Sequence, residues 1–100
     1  MQSYKDLDIY ELAHTLAIEI HAMSLKELPS FEMYEQGSQI RRSAKAICAA
    51  IVEGFGRKVY QQEFIRYLTY AIASCDETRE HLELLVETGS LKDQGKFEAL

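Results

Sequence analysis

Three histidines, two cysteines and one Glu-x-x-His step are the residues of this chain whose types could carry chemistry. Glu11 and His14 have the spacing that di-iron four-helix bundles use, but such a site needs a second copy of the step. Three residues before His21 and His81 stand Ile18 and Thr78. His14 and His21 are seven residues apart, about 10 Å along a helix, too far for one ion to be held by both. They read as surface or interface histidines, and neither a metal nor another cofactor is expected. Cys48 and Cys75 lie inside helical patterns without a CxxC partner and read as small, reduced core residues. Arg79 and His81 are two apart, not the five to seven residues of an RNA-cleaving arginine-histidine pair, and no nucleophile has a base beside it. No catalytic residue is assigned.

Charge is the stronger signal. Between Ser38 and Tyr70 six basic residues (Arg41, Arg42, Lys45, Arg57, Lys58, Arg66) face two acidic ones (Glu53, Glu63), a balance of +4 in a chain of net −5. An acidic chain is not a generic polyanion binder, because such affinity comes from neutralising phosphates. Only a local patch built from those six residues gives nucleic acid a foothold. Tyr67 and Tyr70, on a flank with Ser74, Glu77 and His81, suit either base stacking or helix packing.

The elements that must position these residues are helical. One hundred residues with 47% hydrophobic content and a single proline make one domain, residues 1–100, and its composition favours helices over a sheet. The apolar runs fall short of a membrane span, and a cytoplasmic protein is expected. A first helix is predicted from about Tyr4 or Asp6 to Glu27, capped by Ser3, with Ile9, Leu12, Leu16, Ile20 and Met23 on its core stripe. Pro29 stops it. The connection to Ser38 carries Phe31 and Tyr34, which are expected against the end of the bundle.

A second helix is predicted over Ser38–Phe55, with Ile40, Ala44, Ile47, Ile51 and Phe55 as its core stripe. Its other side carries Arg42, Ala46, Ala49 and Glu53, small residues between charges, which would let another copy of the chain approach closely. Either Arg42 and Glu53 pair across a subunit boundary, or Glu53 pairs with Arg57 four residues on and Arg42 is solvated. The Gly54, Phe55, Gly56, Arg57 segment is predicted to end the helix through a left-handed glycine, in a basic turn that can still touch a phosphate. A third helix, Tyr60–Thr88, carries the heptad-like seam Phe64, Leu68, Ala71, Cys75, Thr78, Leu82 and Leu85 and ends at Gly89. Ser90–Leu100 then gives a short fourth helix with Ser90 as N-cap.

In this order, Arg41 and Arg42 at the start of the second helix, Ile51, Glu53, Gly54, Gly56 and Arg57 at its close, and Ala71, Ser74 and Glu77 in the third resemble the pattern of the 23S ribosomal RNA intervening-sequence proteins. The opening Tyr4-Lys5-Asp6-Leu7 and the Pro29 connection extend the resemblance over nearly the whole chain. Ala46, Ala50 and Ala73 replace the family's usual serine, asparagine and glycine. The resemblance implies an antiparallel up-down four-helix bundle that assembles as a homopentamer. It also implies kinship with the accessory variability proteins of diversity-generating retroelements, which bind nucleic acid and a reverse transcriptase through a basic surface.

Two functions are therefore expected to compete. One is a nonenzymatic homo-oligomeric bundle that presents Arg41, Arg42, Lys45, Arg57, Lys58 and Arg66 to structured RNA or other nucleic acid. The other is a protein-interaction scaffold whose arginines are used in subunit contacts, with Arg42, Ala46, Ala49 and Glu53 at the interface.

Overall fold

Apolar residues at steps of three and four on both flanks of one helix make that helix the centre of the molecule. The computed structural model describes residues 3–92, in which α1 (Asp8–Lys26), α2 (Gln36–Gly56) and α3 (Gln61–Glu87) are joined by short connections. Turns of 3-10 helix precede α1 (Tyr4–Asp6) and α2 (Ser30–Tyr34). The described residues are thus all-α, with three α-helices and no strand. Most of the expected fourth helix falls on residues 93–100, outside the described residues. Both α1 and α3 pack on α2, while no close backbone contact joins α1 to α3.

The core has two parts along this axis. Ile20, Met23, Ile40, Ala44, Leu82 and Leu85 meet Leu91 near the start of α2, and Ala13, Ile47, Ala50, Ile51 and Ala71 meet towards its other end. A fully buried Ile or Leu contributes about 1.5–3 kcal/mol. Ser43 and Thr78 lie inside the α2–α3 contact, where one hydroxyl donates to the other at 2.8 Å and the accepting one can donate to its own helix carbonyl, that of Ile40 or of Ser74. These bonds remove the cost of burying two hydroxyls.

Several expectations need correction. Ile40, Ala44, Ile47 and Ile51 are buried as predicted, but Phe55 is only half-buried. On α1 the buried residues are Ala13, Ala17, Ile20, Met23 and Ser24, whereas Ile9 is 49% and Leu12 71% exposed. α1 meets α2 along its alanines, which allow close approach. The apolar flank beyond them is left open because α3 does not close on α1. Phe31 and Tyr34 are exposed rather than tucked against the bundle; the connection is instead anchored by Glu32.

Glycine placement also differs. α2 runs on through Gly54 to Gly56, and neither has a positive φ. Gly54 is buried where α3 crosses, and a Cβ there would stand 3.1 Å from Tyr67 Cβ. It is a close-packing glycine inside the helix. Among the described residues the left-handed glycine is Gly89, φ 82°, which ends α3 where the sequence predicted a stop. Ser3 does cap, but it closes a capping box with Asp6 over the first 3-10 turn, one residue short of α1.

Candidate nucleic-acid and subunit interfaces

The six basic candidates do not form one patch. Arg41 and Arg57 are sixteen residues apart on or at the end of α2, about 24 Å along its axis, so Arg41 and Arg42 lie towards its start with Lys45 near its middle, and Arg57, Lys58 and Arg66 lie at the other end. The two groups also have different surroundings.

Arg41 points inward. Its guanidinium donates to Ser24 Oγ at 3.0 Å and to the Met33 carbonyl at 2.6 Å, tying α1 and the connecting turn to α2. Glu32, buried in the same region, accepts the Gln36 amide at 3.1 Å and the Ser90 hydroxyl at 2.6 Å. Ser90, expected as a helix cap, is here a latch onto that carboxylate. Gly37 makes the close approach feasible, because a Cβ there would lie 2.5 Å from the Glu32 carbonyl oxygen. Sequence reasoning missed Glu32 altogether, and the nearest signal was its place between Pro29 and a helix start.

Arg42 crosses to α3 and pairs with Glu77, which His81 Nε2 also approaches at 3.1 Å. Gln36 Nε2 meets His81 Nδ1 from the other side. A ring that accepts from the Gln36 amide at Nδ1 and donates from Nε2 to Glu77 satisfies the whole row. The hydrogen bond from His81, aided by the Arg42 charge, holds the Glu77 carboxyl below the usual carboxylate range against the opposing effect of burial. Lys45 is exposed beside the groove between α1 and α2, which His14, Ala17, Ile18, His21 and Cys48 also line. Burial pushes the Cys48 thiol up, away from a reactive thiolate.

At the far end Arg57 pairs with Glu53 at 3.3 Å and Arg66 with Glu63 at 2.8 Å. Both guanidinium groups stand over the Tyr67 ring, 5.1 and 5.4 Å from its centre, and Tyr70 meets that ring edge-on at 5.3 Å. Lys58 Nζ lies 4.0 Å from the centre of the Phe55 ring. Arg57 Nε is shut off from solvent without a hydrogen-bond partner. Val59 and Tyr60 in the same turn are exposed. Three cations, aromatic faces and an unsatisfied donor thus share one end of the molecule.

Of the proposed subunit-contact residues, Arg42, Ala49 and Glu53 are exposed and Ala46 is half-buried. Glu53 takes the i+4 pairing with Arg57 and Arg42 takes Glu77, so both have partners within the chain. Among the described residues no group of three His, Cys, Asp or Glu side chains could hold a metal ion, and no helix is long and apolar enough to cross a membrane.

The fold and these surfaces define a small all-α protein with polar latches between its helices and open apolar flanks on the outer two. The chain belongs to the family described as 23S rRNA-intervening sequence protein, whose model matches residues 5–100. No curated protein and no solved structure matches it.

Proposed function

We propose that this chain is a nonenzymatic helical bundle that works as a homo-oligomer, in which a fourth helix and neighbouring copies cover the flanks left open by α1–α3. The observation that carries this reading is the set of exposed apolar residues on the two outer helices: Ile9, Leu12 and Ile18 on α1, Ile65 and Ile72 on α3. Isolated apolar residues at a surface are ordinary, but apolar flanks repeated on two helices of one small domain mark an association surface. The family resemblance makes a homopentamer the expected stoichiometry. Light scattering over a concentration series tests it: a mass several times 11.5 kDa is expected, whereas a monomer throughout would remove the proposal.

A second reading has its own support. Arg57, Lys58 and Arg66 around Tyr67 offer phosphate-binding cations and a ring face at one end of each copy, and the family description is compatible with association with RNA. We place RNA contact there and not at Arg41, whose donors are engaged. Oligomerisation would multiply a weak end into a usable surface. Gel shift with a structured RNA is expected to weaken with salt and to be lost in Arg57→Glu/Arg66→Glu. Equal binding by that variant would exclude this end. The scaffold alternative, with arginines serving subunit contacts, is favoured if Arg42→Ala lowers the oligomer mass without changing RNA binding.

A further inference from the structure

One exposed strip along α1 carries no carboxylate, although Asp8, Glu11 and Glu19 lie elsewhere on that helix. Tyr10, His14, Ile18, His21 and Leu25 follow steps of four, four, three and four and so share one face. Where this face meets α2 it forms a groove of about 310 Å³, with Ala17, Ile18 and Cys48 as its apolar floor and His14, His21 and Lys45 at its rim. Tyr10 extends the strip, hydrogen-bonding His14 Nδ1 at 3.2 Å. Ile18 is 58% exposed, an open apolar floor edged by a cation and two imidazoles.

The matching surface lies on α3 of the same chain. Asp76, Glu80, Glu83 and Glu87 follow steps of four, three and four along its exposed side, with one cation, Arg79, among them and the 63% exposed Ile72 just N-terminal to them. Asp76 and Glu83, like Glu80 and Glu87, are seven residues apart, about 10 Å on a helix, the separation of His14 and His21. With four carboxylates to one arginine, this helix face is acidic on balance and has the charge and the spacing to lie in the α1–α2 groove.

We infer that the α1–α2 groove of one copy receives the acidic face of α3 from the next, with Lys45, His14 and His21 against the carboxylates. This rests on the self-association proposed above and names the surfaces that carry it. Groove and stripe are different surfaces of the protomer, so the contact is head-to-tail and closes into a ring when its rotation permits. Opposite charge on the two surfaces sets which faces meet and in what register.

Complementary charge reversal tests it. Lys45→Glu/His21→Glu makes the groove acidic, and Glu80→Lys/Glu83→Lys makes the stripe basic; all four positions are exposed. Each variant alone is expected to fall to 11.5 kDa by light scattering with the helical circular dichroism of the wild type. Combined in one chain, the four substitutions should recover the wild-type mass, because every head-to-tail junction then pairs opposite charges whatever the number of subunits. Two pairs of substitutions that each misfold the chain would not restore it when combined. Double variants that retain the wild-type mass, or a combined variant that stays monomeric, would assign the groove to another occupant and overturn this interface while self-association stands. A wild-type chain that is monomeric at every concentration overturns both.

Discussion

Arg41 and Arg42 are neighbours in sequence with opposite fates in the fold. The first turns to Ser24 and the Met33 carbonyl, the second to Glu77 on α3. Arg41→Met should therefore lower stability by about 1–3 kcal/mol in urea unfolding, because it leaves buried acceptors unmatched. RNA affinity measured on the folded variant should be unchanged. Arg42→Ala is expected to cost about 0.2–1 kcal/mol, the range for exposed pairs. Glu77 has a depressed carboxyl, so its folded form releases its proton more readily than the unfolded one. Its contribution is then present above the usual glutamate range and is lost as pH falls through the lowered folded value. A Glu77→Gln variant should be less stable than the wild type near neutral pH and converge with it in acid, as read from urea midpoints. Gly37→Ala should cost about 1–3 kcal/mol, since its Cβ would meet a backbone carbonyl that cannot swing aside.

At the scale of elements, α2 and α3 were legible because their apolar residues repeat at helical spacing and glycine marks the end of α3. Their limits differ from the expected ones by a residue or two, as helix ends do. The stripe of α1 was legible as a pattern but not as burial. Periodicity identifies the apolar side of a helix without saying which part of that side finds a neighbour, and Ile9 and Leu12 find none among the described residues. Gly54 was misread for a related reason. Glycine at the end of an apolar run serves equally as a stop or as a gap for a crossing helix, and only the position of Tyr67 decides between them. Gly54→Val should therefore destabilise by about 1–3 kcal/mol, with unfolding followed by circular dichroism, despite the poor helix propensity of the glycine it replaces. The Glu32 latch had no sequence signature because its partners, Gln36 and Ser90, come together only when the turn after α3 returns to the start of α2.

For the whole molecule, a positive segment in sequence became two separated groups because a helix holds its ends apart. The group with Arg41 and Arg42 is largely engaged in holding helices together, and the group with Arg57, Lys58 and Arg66 is left at the surface around Tyr67. What joins the two readings is association: α2 has both neighbours, whereas α1 and α3 each retain an apolar flank and α3 an acidic one. Sedimentation equilibrium of the wild-type chain tests that account most directly. A mass several times 11.5 kDa that falls on reversing charge at Glu80 and Glu83 is the predicted result. A single 11.5 kDa species from micromolar to millimolar concentration would contradict it.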